Sequence, residues 1–98
     1  MKINKIQLDC HTENFSKTSA NMSPAIFLFT NPADALINGR KMDIPSNCAV
    51  LFSGGQIILK KTGSKNLRFG HISFRTSAAD RQYIASLGIP TDVPIKIE

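Results

Sequence analysis

The chain has no tryptophan, and among its 98 residues it has two cysteines, two histidines and one tyrosine. Without tryptophan, the commonest stacking platform for a sugar ring is missing. The two cysteines, Cys10 and Cys48, form no C-x-x-C pair, which leaves out the usual finger and dithiol motifs. In a reducing compartment both are expected as free thiols, with a Cys10–Cys48 disulfide as the minor alternative. Cys48 opens an apolar run and reads as a small buried hydrophobe. His11 and His71 form no H-x-H pair, and a mixed zinc site from Cys10, His11, Cys48 and His71 fits no finger spacing. There is no G-x-S-x-G and no phosphate loop, and the bare pair Gly54-Gly55 reads as a turn. The expectation is therefore a protein that is not an enzyme and holds no cofactor and no metal. No apolar run approaches the ~20 residues of a membrane span. The opening MKINKIQLDCHTEN lacks the apolar segment of a secretory leader. A cytoplasmic protein that makes no membrane contact is expected.

Acidic residues are scarce in one place: none occurs between Asp43 and Asp80. Lys60, Lys61, Lys65, Arg68 and Arg75 fall in that gap, within an overall net charge of +5. Such a face attracts phosphate and raises a nucleic-acid reading. No helix carries the cluster and no exposed aromatic is interleaved with it, so solvated charges protecting a strand edge are the simpler reading.

Hydrophobic residues make up 42% of the chain, enough for one modest core in a single domain. The sharpest local signal is Asn38-Gly39, the residue pair best suited to a type I′ hairpin turn. It places Leu36-Ile37 against Lys41-Met42. Short apolar runs at 25–30 and 48–52, bounded by Asn31-Pro32, Pro45-Ser46-Asn47 and Ser53-Gly54-Gly55, read as buried strands. Further strands are expected at 56–60 and 67–76. In the latter, Leu67 and Phe69 share one parity and Ile72 and Phe74 the other, so a bulge at Gly70 would keep both pairs on the core face. Residues 1–24 read as an N-terminal arm and a long Ser/Thr/Asn-rich loop, with a first strand on the Ile6/Leu8 alternation and a short strand near Phe15 as the alternatives. Residues 77–88 read as a helix with a Ser77/Asp80 capping box, a buried stripe of Ala79, Tyr83, Ile84 and Leu87, and Gly88 as terminator. Residues 89–98 read as an extended tail with an edge strand near 95–97. Regularly spaced short strands with one late helix predict an all-β sandwich or barrel, with the barrel strands at 25–76.

The order of motifs IFLFTNPADALINGRKMDI, AVLFSGG, RFGHISFRT and LGIPTDVPIKI resembles the N-terminal sensor domain of AraC-type transcription regulators. His71-x-x-Phe74 resembles that family's His-Phe strand element, and Leu87-Gly88-Ile89-Pro90 its tail. The resemblance spans most of residues 25–97. It implies a cupin-like jelly-roll barrel with one short helix near the C-terminus, which binds a small effector, often a sugar, and forms a homodimer. DNA would be bound only through helix-turn-helix motifs, and no recognition helix lies in these residues. In such a barrel Phe27, Phe29 and Phe69 would supply apolar walls, and Arg40, His71 and Arg75 polar contacts. Read without the resemblance, each phenylalanine is a core filler and His71 a core or pocket-wall histidine. Two other functions remain open: a stand-alone protein-interaction module without a small ligand, and a basic-face nucleic-acid binder.

Overall fold

The computed structural model describes residues 2–18 and 24–97. Nine strands and one helix follow in order: β1 (Lys2–Thr12), β2 (Asn14–Thr18), β3 (Ala25–Phe29), β4 (Ala33–Ile37), β5 (Arg40–Ile44), β6 (Cys48–Phe52), β7 (Gln56–Lys61), β8 (Leu67–Arg75), α1 (Ala78–Ser86) and β9 (Pro94–Lys96). They build a five-stranded sheet, β1-β8-β3-β6-β9, and a four-stranded sheet, β2-β7-β4-β5, antiparallel throughout. The all-β expectation therefore holds. Neither sheet closes on itself, so the architecture is two open sheets around one core. Among the described residues no helix is long and apolar enough to cross a membrane.

Strand alternation builds the core. Ala25, Phe27 and Phe29 on β3, Cys48, Val50 and Phe52 on β6, and Leu67 and Phe69 on β8 all point inward. Ala33, Ala35 and Ile37 on β4 and Ile57 and Leu59 on β7 meet them from the other sheet. Phe27 is fully buried at the centre, with its ring centroid 5.9–6.2 Å from those of Phe15, Phe29, Phe52 and Phe69. Aromatic pairs at such separations add to the gain from burying their area. Cys10 and Cys48 are free thiols.

The Asn38-Gly39 turn forms with φ of +50° and +81°. Its register pairs Ile37 with Arg40 and Leu36 with Lys41, one step tighter than the sequence pairing of Leu36-Ile37 with Lys41-Met42. The Asn38 side chain also locks the neighbouring turn. Its Nδ2 donates to the Gly54 carbonyl at 2.9 Å and its Oδ1 accepts from the Gln56 amide at 2.9 Å. Gly54-Gly55 is thus a turn, and a Cβ at Gly55 would collide with Asn38 Oδ1.

Two sequence expectations fail and a third resolves to its alternative, each for a physical reason. Residues 2–18 take the strand alternatives over the arm and loop: they form β1 and β2, which pair along β8 and β7, while residues 19–23 lie outside the described residues. β8 has no bulge at Gly70. It pairs with β3 without a shift from Ala25↔Ser73 to Phe29↔Phe69, so Ile72 and Phe74 face outward. The bulge lies on the partner strand instead, where Leu8 and Asp9 together oppose Gly70 and Asp9 has φ +58°. A Cβ at Gly70 would stand 3.4 Å from the Gln7 carbonyl oxygen, an ordinary van der Waals contact, so the bulge passes close to Gly70 without demanding a glycine there. Finally, α1 has the expected capping box, Asp80 N–H to Ser77 Oγ at 3.1 Å and Ser77 N–H to Asp80 Oδ2 at 3.0 Å, but no buried stripe. Tyr83 is 64% exposed, and Arg81, Ile84 and Ala85 are the helix residues that line the cleft shared with Leu51 and Phe52.

The tail runs as expected along a sheet edge, with β9 beside β6. Asp92 clamps it there, accepting from the Ser53 amide at 2.9 Å and from Ser53 Oγ at 2.6 Å. The two interlocked turns give a direct test. Asn38→Ala should cost about 1–3 kcal/mol, the scale of side-chain hydrogen bonds lost with their partners left unmet. Gly55→Ala should cost less in the Asn38→Ala background than in the natural chain, because the collision partner is gone. Urea denaturation midpoints of the four proteins check both.

Candidate functional site

The inner face of β8 changes character along its length. Leu67 and Phe69 lie in the apolar core, and His71 and Ser73 follow on the same face, buried to 2% and 1% exposure. The strand register fixes their neighbours. His71 stands between Gln7 of β1 and Phe27 of β3, and Ser73 between Lys5 of β1 and Ala25 of β3. From the opposite sheet β2 contributes Phe15 and Lys17, which pair with the inward residues Leu59 and Ile57. The corner where edge strands β1 and β2 face one another thus gathers Lys5, Gln7, Lys17, His71 and Ser73 beside an aromatic wall.

That wall is well defined. The His71 ring lies 5.3 Å from Phe27, nearly parallel to it, 5.6 Å from Phe15 and 6.3 Å from Phe69. His71 Nε2 meets Gln7 Oε1 at 3.1 Å. Among the described residues its Nδ1 has no partner, and neither has the Ser73 hydroxyl. Burial, reinforced by the charges of Lys17 and Lys5, lowers the His71 pKa and favours the neutral ring. Half-buried Lys17 is also pushed down, by burial first and by Lys5 second. Among the described residues no carboxylate pairs with Lys5 or Lys17. The nearby acids are engaged elsewhere: Asp9 accepts from Arg68 Nε at 2.8 Å and lies 3.1 Å from His11 Nε2, and Glu13 lies 3.6 Å from Lys61.

Of the sequence-derived site residues, Phe27, Phe69 and His71 come together here. Phe29 lies one row deeper, 6.2 Å from Phe27 and 5.9 Å from Phe69, and is a core filler. Arg75 occupies the next same-face position of β8 beyond Ser73, exposed at the strand end opposite Lys2. Arg40 is not brought to this group: it is exposed on β5, at the opposite edge of the four-stranded sheet from β2. Lys5, Gln7, Phe15, Lys17 and Ser73 were not legible as site residues. The alternation of Phe15 and Lys17 within Asn14-Phe15-Ser16-Lys17-Thr18 is the signal that points to them.

Other surfaces are less specific. One concavity is an open dish on the outer face of the four-stranded sheet, lined by Asp34, Leu36, Lys41, Asp43, Ile58 and Lys60 among others. Its charges are of both signs, and none of its polar atoms is buried and unmet. The basic residues noted in the sequence do not form one face: Lys60 and Lys61 belong to one sheet, Arg68 and Arg75 to the other, and Lys61 and Arg68 are paired with acids. No group of three or more His, Cys, Asp or Glu among the described residues is placed to hold a metal ion. Compared with protein-family models, with curated proteins and with solved structures, the chain gives no match.

The depressed His71 pKa has a measurable consequence. The unfolded ring titrates near about 6.5, while the folded one resists protonation until lower pH. Below about 6.5 the unfolded state therefore binds a proton that the folded state refuses, and stability falls as pH falls until the folded pKa is passed. The stabilisation is fully present above the unfolded value. Melting curves between about pH 7.5 and 5 should show this decline in the natural chain and a shallower one in His71→Phe.

Proposed function

We propose that the chain is a small-molecule sensor domain of the cupin-like kind found in AraC-type transcription regulators, and that its effector sits in the corner between β1, β2 and β8. One observation carries this reading: His71 Nδ1 and Ser73 Oγ are buried without partners, facing a corner with an aromatic wall. Leaving such atoms unmet costs about 1–3 kcal/mol each, and a polar ligand would remove that cost. Half-buried Phe15, packed on the core ring of Phe27, offers the apolar surface that the C–H face of a sugar needs. The strand orders 1-8-3-6 and 2-7-4-5 within the two sheets also support it, because they are the orders that the paired Greek keys of a jelly roll produce.

The dimerisation part of the reading draws on the back of the same strands. Ile6, Ile72, Ile26 and Leu51 form one row across β1, β8, β3 and β6 on the outer face, flanked by Ile3, Phe74 and Leu28. A contiguous apolar face of this kind is characteristic of a surface that another body covers. A second copy of the chain presenting the same uncharged row is self-complementary about a two-fold axis. DNA recognition then belongs to a helix-turn-helix domain outside these residues. The same outer face also suits the alternative of a protein-interaction module, in which the corner would take no ligand.

A thermal-shift panel of sugars separates the two readings. A ligand at about 100 times its Kd stabilises the folded state by about 2.7 kcal/mol, which raises Tm by several degrees, and His71→Phe should abolish that shift. A panel without any shift favours the interaction module. Independently, Ile72→Lys should convert a dimer to a monomer in sedimentation equilibrium without altering ligand response.

A further inference from the structure

We propose that the corner recognises an anion, namely a small polyhydroxylated molecule bearing one carboxylate or phosphate group, held between Lys5 and Lys17 above His71 and Ser73. The inference rests on the small-molecule reading above and specifies the chemistry of its ligand. The first ground is an asymmetry of pairing. Where β1 and the turn after it meet β8 and β7, the cations find acids: Arg68 with Asp9 and Lys61 with Glu13. In the corner two lysines arrive from opposite sheets, and among the described residues no acid pairs with either. Lys17 is half-buried there, with an apolar residue, Ile57, beside it on β7. A partly desolvated ammonium next to a like charge is unfavourable unless a negative charge joins it.

The second ground is the set of unmet atoms. The Ser73 hydroxyl is free to donate to an anionic oxygen. With Nε2–H directed at Gln7 Oε1, the bare Nδ1 of His71 is an acceptor and suits a ligand hydroxyl. One corner therefore offers cationic donors for a charged group and an acceptor for a hydroxyl, beside aromatic rings for a C–H face. A neutral sugar leaves the two ammonium groups uncompensated, and a bare inorganic anion leaves Nδ1 and the aromatic wall unused.

The test uses the full chain, with D-glucuronate, D-glucose 6-phosphate and D-glucose as probes at matched ionic strength. Binding is followed by calorimetry and by the His71 ring resonances, which a His11→Gln variant assigns because the chain has only two histidines. The expected result is that at least one of the two anions binds ten-fold or more tightly than glucose and weakens as salt rises. The double substitution Lys5→Met and Lys17→Met should erase that preference while the melting temperature is kept or raised. Preference for glucuronate assigns the carboxylate, and preference for the phosphate ester assigns phosphate. If glucose binds as well as both anions, the anion inference is overturned and the small-molecule reading stands. If none of the three probes binds or moves the His71 resonances, both fail. If an anion binds but the double variant binds it equally, the site is elsewhere and the inference is overturned.

Discussion

The uninterrupted alternation of β8 governs the molecule. The strand lies between β1 and β3, and its register with β3 admits no slip over five consecutive pairs. Because side chains in a strand repeat every two residues, that register alone decides which residues are inside. Leu67, Phe69, His71 and Ser73 are committed to the interior, and Ile72 and Phe74 to the exterior. A bulge on β8 would have reversed the second half, burying Ile72 and Phe74 and exposing His71 and Ser73. The irregularity falls on β1 instead, opposite Gly70, where an edge strand absorbs it at little cost. The polar corner and the apolar outer face are two results of this one registration.

Local chemistry explains what could be read from the sequence. Asn38-Gly39 specifies its turn through backbone angles that few other residues tolerate, and Ser77 with Asp80 specifies a helix start through two short hydrogen bonds. The runs 25–29, 48–52 and 57–59 are strands because their apolar residues have a second sheet to pack on. Signals that depend on a partner were ambiguous. Gly70 announces a close backbone approach, but a glycine cannot say which of two strands bulges. The Ser/Thr/Asn content around Phe15 suggests a loop. Yet Phe15 has a place between Phe27 and Phe69, with ring centroids at 6.1 and 5.1 Å, and that contact makes its surroundings a strand. The helical spacing of Tyr83 and Leu87 marks a stripe that no described residue covers. Of the proposed polar contacts, His71 was recognisable because a histidine in a strand is either a core or a wall residue. Arg40 stands at the far edge of the four-stranded sheet from β2, and nothing in a linear pattern tells the two edges of a sheet apart.

The interior is divided energetically as well as chemically. On the side of β3, β4 and β6 it is aromatic and aliphatic, closed over Phe27, and every large side chain there has ring or methyl neighbours. On the side of β1 and β2 it is bounded by two edge strands, each paired on one side only, and most β1 side chains are exposed. Edges are where a sandwich opens most readily, since fewer hydrogen bonds and fewer apolar contacts hold them. A binding site placed there would lie beneath edge strands and not in the closed core, with His71 and Ser73 themselves buried. The cost is that its polar groups cannot all be met by protein, and those are the atoms left unpartnered.

That placement also bears on how occupancy would be felt elsewhere. Gln7 and Ile6 are successive residues of β1, and His71 and Ile72 are successive residues of β8, so each strand carries one residue toward the corner and the next toward the outer face. A ligand that draws β1 and β2 together across the corner acts on the same backbone that sets the Ile6–Ile72–Ile26–Leu51 row. β1 is the irregular member of that row: its register is broken at Ile3/Lys5 and at Gln7/Cys10, whereas β8, β3 and β6 are held in unbroken register. Coupling between a site and a surface needs an element with two available positions that both can bias. An edge strand paired on one side only has fewer hydrogen bonds to break for such a shift than the central strands, which are paired on both.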